Sequence, residues 1–145
     1  MTRSWRSVTA RADCYLAGVD APFAAAVQRA NHYRQAGADC LFVPGVSDPQ
    51  VIAALVKEID GPLNVVMGLS GSTLSVGELA ALGVRRITIG GSLARATYGL
   101  IRQAAVEMKE QGVFSFADRQ IPDGELNRFF ASFPESDVVG GAERA

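Results

Sequence analysis

Histidine is almost missing from this chain: a single residue, His32, stands among 145. Cysteine is nearly as scarce, with only Cys14 and Cys40. That scarcity excludes His/Cys metal clusters and a disulfide framework. Both cysteines lie in or beside strand-like runs, where reduced thiols behave as small buried hydrophobes. His32 sits mid-helix beside Asn31 and Arg34, which marks a solvated face and not a ligand or a base. The spacings H-x-x-H, C-x-x-C, G-x-x-x-x-G-K-[ST], G-x-S-x-G and G-x-G-x-x-G are all missing, so zinc, nucleotide and serine-hydrolase chemistry lose support.

An excess of one charge is lacking as well. Fourteen Lys and Arg face 15 Asp and Glu, for a formal net charge of -1. No global basic field exists to neutralise phosphates, so nucleic acid is not an expected partner. Apolar runs are broken within about ten residues by Gly, Pro or charge, short of the ~20 that a membrane span requires. Met1–Arg6 is followed by no apolar core of signal-peptide length, and the expected location is cytoplasmic.

What remains is ordinary globular composition, 48% hydrophobic and 20% charged, enough for one domain with a real core. The pattern alternates strand and helix. Ser7–Ala10 is short and β-branched and reads as a first strand. Asp20 and Pro22 predict a helix start, with Phe23, Val27 and Ala30 at helical spacing over 21–36. Cys40–Val43 is a wholly apolar run ended by Pro44-Gly45, as in a strand buried on both faces. Asp48-Pro49 caps a second helix whose stripe is Val51, Ile52, Leu55, Val56 and Ile59.

Leu63–Met67 is the third strand, and Gly68–Thr73 a flexible turn. Ser75 and Glu78 form an S-x-x-E capping box for a short helix that Gly83 ends. Arg86–Ile89 is the fourth strand. Gly90-Gly91-Ser92 opens a fourth helix with Leu93, Leu100, Ile101, Ala104 and Met108 expected along its inner side. The segments Ala36–Gly45 and Leu82–Gly91 align without a gap, as repeated βα units of a barrel or open parallel sheet would. Beyond Gly112, Phe114, Phe116 and Phe129-Phe130 flank a helix at about 123–131, expected to dock on the barrel side. The organisation read from the chain is a domain over 1–133 and a frayed tail over 134–145.

In parallel α/β folds ligands gather at the C-terminal ends of strands. Arg11 is the sharpest candidate there, because its planar fork matches the oxygen pair of a carboxylate or phosphonate. An ion pair with Asp13 is the alternative, with Asp13 then positioning Arg11. Gly90, Gly91 and Ser92 lead into a helix N-terminus that suits an anion, with Arg95 one turn in; tight packing explains a glycine pair equally well. Asn64 is polar in an apolar strand, so it either lines a cavity or is a satisfied core residue. Catalytic residues and metal ligands are not assigned, since no set of carboxylates converges at the strand ends.

Ala10-Arg11-Ala12-Asp13, Ala36–Gly45, Gly61-Pro62-Leu63-Asn64-Val65 and Glu78–Ile87, in this order, resemble the isocitrate lyase / phosphoenolpyruvate mutase superfamily over residues 7 to 130. The resemblance implies the C-terminal half of a (β/α)8 TIM-type barrel plus a C-terminal helix. It implies lyase or mutase chemistry on C–C or P–C bonds of small α-oxo acids or phosphonates, with Mg²⁺ stabilising an enolate. Arg11 matches the family's substrate-binding arginine on its fifth strand, with Ala12 where A-R-T-D has Thr. Val43-Pro44-Gly45 departs from the family, which carries Glu (lyases) or His (mutases) at that strand end. The family's metal-binding acids and catalytic loop lie in the first four βα units, for which this chain has no room, so the isolated chain is expected to be inactive. The contrasting expectation is a non-catalytic anion-binding or oligomerising module. A four-stranded parallel sheet with an apolar inner face and two open edges further predicts a homodimer or higher homo-oligomer.

Overall fold

A computed structural model describes residues 7–69 and 74–133. The turn expected through 70–73, the tail from 134 and the segment before Ser7 lie outside the described residues. By internal contacts the chain divides into two units, residues 1–97 and 98–145.

The first unit holds four βα steps: β1 (Thr9–Arg11), α1 (Pro22–Gln35), β2 (Cys40–Phe42), α2 (Pro49–Glu58), β3 (Leu63–Val66), α3 (Val76–Ala81), β4 (Arg86–Thr88) and the start of α4 (Ser92–Gln111). The strands form one parallel sheet in the order β1-β2-β3-β4. Each strand pairs with the next in sequence, Thr9 with Cys40, Leu41 with Leu63 and Asn64 with Arg86. A connection that always returns to the neighbouring strand through a helix is the pattern of a barrel wall.

One face of the sheet packs against the helices. Leu41, Leu63 and Val65 join Ala26, Ala30, Ile52, Leu55, Ile59 and Leu79 in the core, which explains why β2 and β3 read as nearly continuous apolar runs. Asp48 caps α2 as expected, its carboxylate accepting from the amides of Gln50 and Val51. Ser75 and Glu78 form the full capping box on α3. Asn31 ties α1 to the end of α2, donating to the Glu58 carbonyl at 3.0 Å and accepting from the Asp60 amide at 2.8 Å. His32 is exposed.

Four expectations need correction. The first strand begins two residues late, because the Val8 carbonyl accepts both the Asp39 and the Cys40 amides and only then does regular pairing start at Thr9. Asp20 does not cap α1. The residue before the helix is Ala21, left-handed at φ 48° with no side-chain cap, so Pro22 and not a capping carboxylate marks the helix start. The inner face of the sheet is not apolar. Side chains alternate along strands, so Thr9, Arg11, Cys40, Phe42, Asn64, Val66, Arg86 and Thr88 share it, and five of the eight carry strong polar or charged groups. Finally, α4 buries no residue: Leu93 is 65% exposed and Ile101 58%.

The second unit comprises the rest of α4, a 3-10 helix (Ser115–Arg119) and α5 (Asp123–Ala131). α5 has the expected bounds, but its aromatic residues do not enter a core: Phe114, Phe129, Phe130 and Phe133 are exposed. Phe129 instead packs edge-on against Phe130 and Phe133, with centroids 5.5 and 5.1 Å apart. The Glu107 carboxylate accepts from the Ser115 amide and so ties α4 to the following turn. Among the described residues no helix is long and apolar enough to cross a membrane.

Candidate functional site

The C-terminal ends of all four strands open on one cavity of about 390 Å³. Arg11 forms one wall, at the end of β1. Phe42 and Pro44 come from β2 and its loop, Val66 and Leu69 from β3, and Thr88, Gly90 and Gly91 from β4. Alternation delivers Arg11, Phe42, Val66 and Thr88 to the same face, while the loop glycines keep the rim low.

Arg11 is held from two sides. Its Nε donates to Asp13 Oδ1 at 2.5 Å, and its guanidinium carbon lies 5.3 Å from the centroid of the Phe42 ring. Both ion-pair partners are about half exposed, so the pair adds little stability by itself. Its effect is geometric: one edge of the guanidinium is occupied, and the remaining N–H groups stay available to an anion. The ion pair and the place on the cavity wall coexist.

Asn64 lies behind the wall, fully buried. Its Nδ2 donates to Thr88 Oγ1 at 3.3 Å, and Thr88 Oγ1 donates to the Val65 carbonyl at 3.2 Å. That hydroxyl has one proton and has spent it, so the Asn64 amide must be the donor. Among the described residues Asn64 Oδ1 has no hydrogen-bond partner. Asn64 therefore meets the cavity only through Thr88.

Gly90 and Gly91 line the cavity, whereas Ser92 turns away, its hydroxyl donating to the Ile89 carbonyl at 2.6 Å. The Ser92 amide also bonds the Ile89 carbonyl, at 3.1 Å. Arg95 reaches back to the Leu69 carbonyl at 3.5 Å and braces the loop after β3. Gly68 adopts φ +79°, and a Cβ there would lie 2.7 Å from Ser92 Oγ, so this strand end and the start of α4 are in close contact.

The structure thus joins Arg11, Asp13, Gly90 and Gly91 in one site, sets Asn64 behind it, and uses Ser92 and Arg95 as local braces. Phe42, Val66, Leu69 and Thr88 were not singled out from the sequence. Thr88 had a signal: Arg86-Ile87-Thr88 alternates polar and apolar residues in a parallel strand, where polar side chains need a cavity or a partner.

Cys40, also on the inner face, has its thiol pushed up by burial, opposed by the nearby Arg86 charge and a hydrogen bond with Thr9. Burial, reinforced by Cys14, likewise raises the Tyr15 phenol. Neither group is poised as a base or nucleophile. The donor set does not suit Mg²⁺: among the described residues no three His, Cys, Asp or Glu side chains come together. The cavity lining brings no carboxylate, and Asp13 is engaged by Arg11.

Four parallel strands in sequence order, each followed by a helix, define an α/β fold of the TIM-barrel-like kind. Known proteins agree. The family model for phosphoenolpyruvate phosphomutase matches residues 5–109, and the chain belongs to that family.

A solved structure from Burkholderia cenocepacia, provisionally described as a lyase/mutase, is 46% identical with a TM-score of 0.82, covering 87% of this chain and 45% of that one. The structure of 2,3-dimethylmalate lyase, a member of the PEP mutase/isocitrate lyase superfamily, is 25% identical with a TM-score of 0.66, covering 84% of this chain and 43% of that one. Phosphoenolpyruvate phosphomutase of Streptomyces hygroscopicus is 29% identical over 112 residues, 75% of this chain and 36% of that protein. The chain therefore spans less than half the length of these relatives.

Proposed function

We propose that this chain is the substrate-anion side of a lyase or mutase site for small α-oxo acids or phosphonates. The observation that carries the reading is Arg11, fixed by Asp13 and Phe42 at a strand end and facing a cavity rimmed by Gly90 and Gly91. Arg11 would take two oxygens of a carboxylate or phosphonate through its free N–H groups, and the glycine turn lets the anion approach the backbone. Phe42, Pro44, Val66 and Leu69 would exclude water from the carbon side of the substrate and strengthen each polar contact.

The chemical half of the reaction needs groups that these walls lack. The strand end Val43-Pro44-Gly45 lacks the Glu of the lyases or the His of the mutases that the resemblance implies there, and the cavity lining brings no carboxylate or imidazole in its place. Mg²⁺, which the resemblance implies, would stabilise an enolate; its carboxylate ligands would have to come from outside the described residues. Bond cleavage by the isolated chain is therefore not expected.

Pro44 favours one rival reading, a module that binds an anion without turning it over. Calorimetry with oxalate, pyruvate and phosphate, together with an Mg²⁺-supplemented turnover assay, separates the two. Oxalate binding lost in Arg11→Ala supports the retained substrate site. Turnover by the isolated chain would refute the missing catalytic half, and no binding of any of the three anions would refute the site itself.

A further inference from the structure

The walls of the strand-end cavity divide by chemistry. Among the described residues that line it, Arg11 brings the charge, and the other side chains are Phe42, Pro44, Val66, Leu69 and Thr88. The apolar side begins at the guanidinium, where the Phe42 ring centroid lies 5.3 Å from the Arg11 guanidinium carbon, and it ends at the glycine turn. There Val66 Cγ2 and Leu69 Cδ2 converge, 3.6 and 3.7 Å from where a Cβ on Gly90 would lie. Arg95 bonds the Leu69 carbonyl at 3.5 Å, so the loop that carries this end of the wall is braced.

Thr88 is the other polar side chain of that lining, and its hydroxyl proton is spent on the Val65 carbonyl at 3.2 Å. It can accept a hydrogen bond but has no second one to donate. A molecule held by its carboxylate at Arg11 therefore presents its other end to carbon and to a single acceptor. A second anionic group in that place would give up water with no side-chain donor to replace it. An alkyl group would instead release water both from itself and from the wall.

We propose that the site selects an aliphatic α-oxo acid with one anionic group, its carboxylate on Arg11 and its branched alkyl chain against Val66 and Leu69. This inference rests on the reading of Arg11 as the substrate-anion anchor and adds which tail the cavity takes.

Calorimetry on the full chain compares α-ketoisocaproate with oxaloacetate, two acids of similar shape in which an isopropyl group stands where the other has a carboxylate. Pyruvate is the reference without a tail. Each buried methylene is worth about fourfold in affinity, so α-ketoisocaproate should bind at least about tenfold more tightly than either. Leu69 is 38% exposed, and Leu69→Ser should cut that preference at least about threefold while leaving pyruvate affinity unchanged. Val66→Thr, which keeps the side-chain shape and adds a hydroxyl, is a second variant with the same expectation. Equal or tighter binding of oxaloacetate overturns the proposal, as does a preference that survives both variants. Pyruvate binding that Arg11→Ala abolishes, with no discrimination by tail, overturns this proposal alone. Failure of all three acids to bind overturns the Arg11 reading and the proposal together.

Discussion

Asn64 and Thr88 face each other across β3 and β4, joined by a 3.3 Å hydrogen bond in which the amide can only be the donor. Both side chains lie on the inner face of the sheet, Asn64 fully buried and Thr88 on the cavity wall. Thr88→Val removes the acceptor and leaves the Asn64 amide with neither end satisfied, so the chain should lose about 1–3 kcal/mol of stability. Urea denaturation measures it. A Thr88→Val protein as stable as the parent would show that the bond carries nothing.

Arg11 offers a sharper test of geometry than of charge. Arg11→Lys keeps the positive charge but loses the planar fork, and oxalate affinity should fall about tenfold, about 1.4 kcal/mol. Calorimetry on the two proteins reads the difference directly. Equal affinity would mean that the site senses charge alone.

Glu78 gives the fold a pH signature. The Ser75 amide and hydroxyl each donate to its carboxylate at 2.7 Å and hold the Glu78 carboxyl below its usual range. A carboxyl with a depressed folded pKa stabilises above its unfolded pKa of about 4.3 and loses that contribution as pH falls through the folded value. The stability gap between the parent and Glu78→Gln should therefore be constant near neutrality and close in the acid range. A gap independent of pH down to the acid limit of folding would contradict it.

Cys40 runs the opposite way. Burial raises its thiol in the folded chain despite the Arg86 charge, so its contribution holds below the unfolded thiol pKa and is lost as pH rises through the folded one. With Cys14 buried as well, a disulfide reagent at pH 8 should titrate neither thiol at the free-thiol rate until the chain is unfolded. Rapid labelling of Cys40 in the native protein would overturn this.

Gly68→Ala probes the seam between the third strand and α4. The new methyl would meet Ser92 Oγ at 2.7 Å on a backbone at φ +79°, and a loss of about 1 kcal/mol or more is expected. Thermal unfolding checks it, and the Gly68→Ala, Ser92→Gly double variant should recover the steric part only.

The βα alternation was legible because local signals agreed: Asp48-Pro49 and Ser75/Glu78 cap as their spacing predicts, and the runs Cys40–Phe42 and Leu63–Val66 could be satisfied only by burial on both sides. Arg11 and the Gly90-Gly91 turn were legible because the C-terminal strand ends are where such folds bind. Less legible were positions decided by neighbours distant in sequence. Ala21, and not Asp20, is the residue before α1 and is left-handed, and the Val8 carbonyl accepts two amides before regular pairing begins at Thr9. The apolar spacing along α4 promised a buried stripe, but periodicity reports which residues share a face and not whether anything meets that face. Phe42 was passed over because it looked like core; only pairing with Arg11 across β1 and β2 gives it a place at the cavity.

The sheet order β1-β2-β3-β4 also bears on how the chain reaches its fold. Partners such as Thr9 and Cys40, or Asn64 and Arg86, are separated by a single βα step, so each strand can dock as soon as the helix before it has formed. Each closure must bring in a whole βα step before its strands reward it, so the parallel sheet is expected to form more slowly than a helical bundle of the same size. The contact between Arg86 and Thr9 spans 77 residues and must wait until all four strands are in register. It is expected to form last, and a fluorescence or exchange probe placed beside it should report completion of the sheet and not its beginning.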